Sequence, residues 1–482
     1  MPITDLKSKT AQGFLWGALN SGAMQVLNAV FGIVLARKLD QGDYGLIGML
    51  TIFTLVANSL QDSGFVTALT NKRDATRLDY NAVFWFNISV SLLLYILLFL
   101  SAPLIALFFK EPILTDLSRY YFISFFIASF SIVPRAILFR QIKQRELAIM
   151  AIVSLLVSGT VGIVMAYNGM AFWGLATQTI TFNLMVSILS WAFSGWKPSF
   201  QFTFAPIREM FPFSCKMLIT SIFNQVNNNI FSLVLGKIYT KVEVGTYTQA
   251  NKWNTMGANT ITGMVQGVAQ PAFVEVGDDL ERLRRVFSKM LRFTCFVSFP
   301  LMFGLSLVAP EFIVTLIKEK WLPSAHLMQI LCIGGAFLPI ATLYFNLIIS
   351  RGKSDVYMWN VIAQGFAIFG SILMVYGWGG SITHMVIAYV AIVILWTGIW
   401  HRFLYQEIRY PFLSALKDIL PFLLIAAATM VITYFATSWI ENLLILLITR
   451  ILLAAALYIG LLWVFGAKIL RECLSYLLHK NK

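Results

Sequence analysis

Fourteen apolar stretches, each about 20 residues or longer, follow one another along nearly the whole sequence. A helix needs about 20 residues to cross the roughly 30 Å of hydrocarbon in a bilayer, because each residue advances it by about 1.5 Å. The predicted spans are residues 11–36, 44–66, 81–109, 117–138, 148–167, 170–193, 211–236, 243–272, 289–309, 325–349, 355–377, 381–403, 412–437 and 442–465. With 58% hydrophobic and 12% charged residues, the chain is predicted to be an all-α polytopic membrane protein without a sizeable soluble domain.

The basic residues are distributed unequally between the two sides of the predicted membrane region. Of the 36 Lys and Arg residues, 24 lie in the termini and even-numbered loops and 8 lie in the odd-numbered loops. Since cytoplasmic loops carry the excess of Lys and Arg, both termini are predicted to be cytoplasmic. The same bias accounts for the net charge of +14, so no nucleic-acid partner is predicted. The first span is too long for a signal-peptide core and is interpreted as retained.

An internal repeat appears when the sequence is shifted by 200 residues. Identical residues recur at Ser21 and Ser221, Gln25 and Gln225, Asn28 and Asn228, Phe31 and Phe231, and Gly45 and Gly245. The repeat is six spans long, so both copies insert with the same orientation and are related by an axis along the membrane normal, as in some transporters. We predict an N-lobe (1–194), a linker (195–210), a C-lobe (211–405), and a final segment with spans thirteen and fourteen (406–482).

The seventh span, residues 211–236, is unusually polar for a membrane helix. Its polar residues Lys216, Thr220, Asn224 and Asn228 recur at helical spacing and so share one face. A lysine near the bilayer centre costs roughly 2.5–3.5 kcal/mol, and each buried amide needs a hydrogen-bond partner. Either this face lines a wet transport pathway, or its amides bond neighbouring helices, as in many membrane bundles.

The eighth span continues this polar pattern with Lys252, Thr255, Asn259, Thr262 and Gln266 at helical spacing. Rows of amides and hydroxyls suit a polyhydroxylated ligand, because each group can donate and accept hydrogen bonds. Lysine and arginine side chains would attract a phosphate or carboxylate. The candidate cavity residues are Lys216, Lys252, Asn224, Gln225, Asn228, Asn259, Gln25, Asn28 and Arg135.

Three further charged residues within the predicted spans have alternative interpretations. Arg135 either lines the cavity or extends to the cytoplasmic membrane surface. Asp62 is a candidate ion-coupling residue, but it could also pair with a buried lysine or cap a helix. Arg450 is expected to face Glu441 or a lipid headgroup.

No pattern for catalysis or for a bound cofactor is found in the sequence. The four cysteines have neither paired spacing nor neighbouring histidines, so no metal site or disulfide framework is predicted. A nucleotide-binding loop and a nucleophile elbow are absent from the sequence, and no odd-numbered loop is long enough for an outer active site. A membrane enzyme is therefore disfavoured.

Three local runs resemble the polysaccharide transporter family of the multidrug, oligosaccharidyl-lipid and polysaccharide exporter superfamily. They are Gly13-Phe14-Leu15-Trp16, Leu35-Ala36-Arg37 to Asp43-Tyr44-Gly45, and Asp62-Ser63-Gly64-Phe65 to Ala68-Leu69. The resemblance implies a Wzx-like flippase of the bacterial inner membrane, with a V-shaped cavity between two six-helix lobes and alternating access. Its substrate would be a polyprenyl-pyrophosphate-linked oligosaccharide for exopolysaccharide, capsule or lipopolysaccharide assembly.

The resemblance also implies which residues and partners would serve transport. Basic cavity residues would engage the anionic headgroup, and Lys216 and Lys252 are the positions matched to that role. Membrane lipids and a glycan polymerase or export machinery would be partners. The alternative is a cation-coupled multidrug or small-molecule antiporter of the same superfamily. The drug-exporter branch usually has an acidic residue in the first helix, where this chain has Gln25 and Asn28.

Overall fold

The computed structural model describes residues 22–62, 69, 76–141, 143–199, 203–277, 279–466 and 469, and its regular elements over these ranges are helices. Up to Val276 they are α1 (22–38), α2 (Gln41–Asp62), α3 (Arg77–Phe109), α4 (Leu114–Tyr121), α5 (Ile123–Arg140), α6 (Gln144–Tyr167), α7 (Ala171–Ser194), α8 (Ala205–Ile238) and α9 (Lys241–Val276). They continue as α10 (Leu280–Leu307), α11 (Ala309–Ile317), a 3-10 turn (Glu319–Trp321), α12 (Leu322–Gly335), α13 (Leu338–Ser350), α14 (Ser354–Gly377), α15 (Ile382–Ile408), α16 (Phe412–Thr437) and α17 (Leu443–Val464). The predicted all-α fold class is confirmed.

Ten helical segments within the described ranges are long and apolar enough to cross a membrane. They coincide with predicted spans three to six and nine to fourteen, so the protein is a multi-pass membrane protein. Two of these segments, Leu114–Arg140 and Glu319–Ser350, are interrupted helices. The remaining predicted spans correspond to α1, α2, α8 and α9, which carry the polar residues singled out above. The total of fourteen stays a prediction.

The chain divides into two compact units at Gly245. In the first unit, α7 packs against α5 and α6, and α2 packs against α8. In the second unit, α10 packs against α16, α15 against α12 and α14, and α16 against α17. The lobe boundaries drawn from the sequence repeat stay a prediction.

An aromatic core in the first unit also holds the chain that follows α7. Phe84 of α3 is buried, and its ring centroid lies 5.2 Å from that of Trp196. The Asn81 amide donates to Ser199 Oγ at 2.6 Å, and its carbonyl oxygen accepts from the Ser199 N–H at 3.1 Å. The first part of the predicted linker, residues 195–210, is therefore anchored to α3, and its last part belongs to α8.

The turns before α2 and α9 are built alike, 200 residues apart. Before α2, the backbone N–H of Asp40 donates to the Asp43 carboxylate at 2.9 Å. Before α9, the backbone N–H of Thr240 donates to the Glu243 carboxylate at 3.0 Å. Both carboxylates lie in the first helical turn, where the helix dipole favours negative charge. The sequence repeat thus recurs in local structure even where the acidic residues differ.

The first turns of α2 and α9 also touch through a reciprocal pair of glycines. A Cβ atom added to Gly45 would lie 1.8 Å from the Lys241 carbonyl oxygen, and one added to Gly245 would lie 1.8 Å from the Gln41 carbonyl oxygen. Real Cβ atoms do not approach a backbone oxygen so closely. Glycine is therefore required at both positions for the two helix starts to approach one another.

A buried ion pair joins α17 to α11 in the second unit. Arg450 Nη1 lies 2.6 Å from Glu311 Oε1, and both side chains are about nine-tenths buried or more. Arg450 Nε also donates to Thr437 Oγ1 at 3.2 Å, and its guanidinium lies 5.2 Å from the Tyr434 ring centroid. The expectation that Arg450 faces Glu441 or a lipid headgroup is therefore wrong, because the guanidinium turns inward to a carboxylate 139 residues away in the chain.

A second polar cluster joins α16 to α10. The buried Asp418 carboxylate accepts hydrogen bonds from Ser288 Oγ at 2.5 Å and Arg292 Nε at 2.6 Å. The Tyr410 hydroxyl, in the segment between α15 and α16, donates to the same carboxylate. Burial and then this hydrogen bond raise the pKa of Tyr410 to about 12, so the phenol stays protonated as a donor. The appended helices are thus fixed to α10 and α11 by two polar clusters.

Candidate transport site

Lys252 is the predicted cavity lysine whose side chain the structure describes. It lies in the fourth turn of α9 and is half-buried. No ion pair or hydrogen bond of its ammonium group to another described residue is found. A half-buried ammonium without a carboxylate partner is energetically unfavourable unless water or a ligand solvates it. This environment fits a residue that meets an anionic ligand.

The other polar residues of α9 divide into two groups. Thr255 Oγ1 donates to the backbone carbonyls of Asn251 at 2.8 Å and Lys252 at 3.0 Å, so its hydroxyl is already used within the helix. Asn259 and Gln266 are exposed. Asn259 therefore stays available for a ligand, whereas the Thr255 hydroxyl is engaged by the backbone of its own helix.

Two buried amides of α9 were missed by sequence analysis. The Gln249 side chain is fully buried, and neither its Oε1 nor its Nε2 has a hydrogen-bond partner among the described residues. Asn254 Oδ1 is likewise buried without such a partner, and it occupies the space that a Cβ atom on Gly335 would need. A buried amide without a partner costs about 1–3 kcal/mol. Asn254 lies on the opposite side of α9 from Lys252, so the spacing rule passed over it, whereas Gln249 precedes Lys252 by three residues and lies on its side of the helix.

The first unit contains four of the candidate residues whose side chains are described. Gln25 is half-buried and Asn28 is exposed, both on α1. Gln225 of α8 is half-buried, and Arg135 of α5 is exposed between buried neighbours. No hydrogen bond between any two of these four side chains is found in the described part of the chain. Their assignment to a cavity stays a prediction.

Several predicted residues lie outside what the structure describes. The side chains of Lys216, Asn224 and Asn228 on α8, and of Asp62 at the end of α2, belong to this group. So do residues 13–16 and 63–68 of the family-like runs. A cluster of histidine, cysteine and acidic side chains suited to a metal ion is not found among the described residues.

The fold is shared with two solved transporter structures. The structure titled "Lipid II flippase MurJ, inward closed conformation" superposes with a TM-score of 0.76 over 96% of this chain and 100% of that chain, at 15% identity. An inward-facing multidrug resistance MATE family transporter superposes with a TM-score of 0.63 over 80% of this chain and 94% of that chain, at 13% identity. At such identities the likeness concerns the fold.

The sequence comparisons define the family within that fold. Residues 34–326 match the model of a family described as "Polysaccharide biosynthesis protein", and the chain belongs to this family. The lipopolysaccharide biosynthesis protein WzxC of Escherichia coli (strain K12) is 25% identical over 74% of this chain and 73% of WzxC. The teichuronic acid biosynthesis protein TuaB of Bacillus subtilis (strain 168) is 25% identical over 77% of this chain and 78% of TuaB. The succinoglycan biosynthesis transport protein ExoT of Rhizobium meliloti (strain 1021) is 22% identical over 74% of this chain and 72% of ExoT. The resemblance stated from the sequence is confirmed.

Proposed function

We propose that this protein is a flippase that moves a polyprenyl-pyrophosphate-linked oligosaccharide from the cytoplasmic to the outer leaflet of the bacterial inner membrane. The transported unit would serve exopolysaccharide, capsule or lipopolysaccharide assembly. The observation that carries the proposal is family membership over residues 34–326, with relatives named for the biosynthesis of three different polysaccharides. Both termini lie in the cytoplasm in this proposal, and the protein itself catalyses no bond change.

The physical need for such a protein follows from the substrate class. Sugar hydroxyls and a pyrophosphate cannot cross hydrocarbon unaided, because each polar group would lose its hydrogen bonds to water. A flippase must supply polar side chains along the path and a way to neutralise the headgroup. Helices α8 and α9 combine amides with the lysines at positions 216 and 252, which is the composition that this task requires.

We assign the headgroup to Lys216 and Lys252, and the sugars to the amide residues. The half-buried Lys252 without a described carboxylate partner supports this assignment for α9. The amide residues are Asn224, Gln225, Asn228, Asn259, Gln25 and Asn28, with Arg135 as a further basic candidate. The two lobes, 1–194 and 211–405, would alternate access to the two leaflets, and a glycan polymerase would accept the product.

A cation-coupled antiporter is the second candidate, favoured by the fold shared with a multidrug resistance transporter. Asp62 would then be the coupling residue. The first helix argues against this candidate, because Gln25 and Asn28 cannot exchange a cation by changing charge at neutral pH. A proton or sodium gradient would be required for antiport and would be dispensable for a flippase driven by product removal.

The two functions are distinguished by transport in proteoliposomes. The probe is a polyprenyl-pyrophosphate disaccharide with a fluorescent sugar that an impermeant reductant bleaches on the outer leaflet only. We expect the protein to raise the bleached fraction from about one half toward completeness within the assay, compared with protein-free vesicles. If the bleached fraction stays at the value of protein-free vesicles and a cation gradient drives uptake of a cationic dye, the protein is an antiporter and not a flippase.

A further inference from the structure

The second unit contains a large cavity where α10 and α16 begin and α17 ends. Its volume is about 820 Å³, which lies within the range of small-molecule and cofactor sites. Five basic residues line it: Arg284, Arg285, Lys289, Arg292 and Lys417. Arg285, Lys289 and Arg292 follow one another on α10 at spacings of four and three, so they share one face of that helix. The cavity therefore presents a concentrated positive charge from two helices.

The charged side chains that line this cavity are basic. No acidic side chain is among the described residues that line it. The Asp418 carboxylate behind the wall is already engaged by Arg292, Ser288 and Tyr410. Arg284 Nε is held at 2.5 Å from the backbone carbonyl of Ile408. Arg292 and Arg284 are thus positioned by the fold, and the side chains of Arg285, Lys289, Arg292 and Lys417 are exposed.

The deeper wall of the same cavity is apolar. Along α16, the lining residues change from Ser414 and Lys417 to Phe422 and Ile425. Eight residues separate Lys417 from Ile425, which corresponds to about 12 Å along the helix. Leu462, Phe465 and Ile469 complete the apolar part. A soluble phosphate has no apolar part to bury against this wall. A phospholipid has a charged headgroup followed by apolar acyl chains, which matches the change from basic to apolar lining.

We propose that the cavity binds an acidic phospholipid, with its phosphate among the basic residues and the start of an acyl chain against the apolar wall. Basic pockets between transmembrane helices on the cytoplasmic side suit anionic headgroups. The positive-inside distribution puts this end of α10 and α16 on that side. The bound lipid would lie beside the two appended helices. The proposal does not depend on the transported substrate, since it uses none of the proposed cavity residues.

The test uses the full-length protein, delipidated in detergent and titrated with lipids while bound species are counted by native mass spectrometry. The variant combines Arg285→Gln, Lys289→Gln and Lys417→Gln and leaves Arg284 and Arg292 in place. The control variant removes the same charge at exposed positions of the second unit that do not line the cavity: Arg282→Gln, Lys353→Gln and Arg402→Gln. Matched thermal unfolding of the two variants shows that both are folded.

We expect phosphatidylglycerol to bind the wild type and the control alike, and the cavity variant at least tenfold more weakly. Phosphatidylcholine should bind at least tenfold more weakly than phosphatidylglycerol to the wild type, and soluble glycerol phosphate should not compete. These two comparisons need no variant. Equal losses in both variants would overturn the proposal. So would competition by glycerol phosphate, which indicates a soluble anion, or retention of a polyprenyl phosphate in place of phosphatidylglycerol, which indicates the carrier lipid.

Discussion

Arg450 of α17 and Glu311 of α11 form a buried ion pair, with Nη1 and Oε1 2.6 Å apart. The guanidinium uses a second nitrogen for Thr437, the last residue of α16. One side chain therefore connects three helices. A buried charge is tolerated here because carboxylate, hydroxyl and aromatic ring surround it from different directions.

Replacing Arg450 with Met should destabilise the protein by about 3–5 kcal/mol, because it leaves the Glu311 carboxylate buried without its partner. The measurement is thermal unfolding of the purified protein in detergent. The double variant Arg450→Met, Glu311→Leu should recover much of the loss, since no charge then stays buried. A double variant as unstable as Arg450→Met would contradict this account.

The Asp418 cluster predicts an asymmetry between its two charged members. Asp418 is 3% exposed and accepts three hydrogen bonds, whereas the Arg292 side chain is 49% exposed. Asp418→Ala should therefore lower unfolding stability by about 2–4 kcal/mol, because three donors lose their acceptor, and Arg292→Gln by about 1–2 kcal/mol, because Ser288 and Tyr410 still donate to the carboxylate. Chemical denaturation of the two variants in parallel tests the difference. Equal losses would mean that water, rather than Asp418, satisfies the donors.

Gly45→Ala or Gly245→Ala should weaken the protein, because either Cβ would overlap a backbone oxygen that cannot move alone. Overpacking of this kind costs about 1–3 kcal/mol or more. The matched control is Gly263→Ala in α9, where a Cβ would meet nothing within 4 Å. Thermal unfolding and glycan export in cells should both fall for the first two variants and stay near wild type for the control.

Lys252→Ala should reduce glycan export severalfold while the protein stays in the membrane, and Lys252→Glu should reduce it further by repelling an anionic headgroup. Lys252→Arg should retain part of the activity, because the charge persists. Export is measured as surface polysaccharide in a strain that depends on this protein, with membrane content measured on immunoblots. Lys353→Ala, an exposed lysine of the same unit, is the control. Full export by Lys252→Glu would remove Lys252 from the proposed site.

The proposed topology predicts the sides of three loops. Reporter fusions after Lys143 should be active in the cytoplasm, and those after Asn168 and Lys318 outside it. Paired alkaline phosphatase and green fluorescent protein fusions measure both outcomes in the same strain. Two reversed positions would require a different orientation of the whole chain, because consecutive spans alternate.

The sequence predicted the apolar spans well because bilayer thickness sets a simple length requirement. It did not predict the partner of Arg450, because the two residues of that pair are 139 positions apart and only tertiary packing brings them together. Gln249 was missed for a different reason: it lies three residues before Lys252, and its complete burial depends on tertiary packing that the sequence does not show. The lysine of α9 was found because a charge in an apolar stretch is visible without any structure.

The reciprocal contact of Gly45 and Gly245 has the form of an isologous interface between two identical subunits, here enclosed in one polypeptide. In such an interface the same patch occurs on both sides, so a change in the geometry of the patch alters two contacts at once. The connections that lead into it are both two residues long, 39–40 and 239–240. An insertion in either connection would shift a helix start by one residue and break both contacts. The residues around these two helix starts are therefore free to differ in composition, but the two connections must keep the same length.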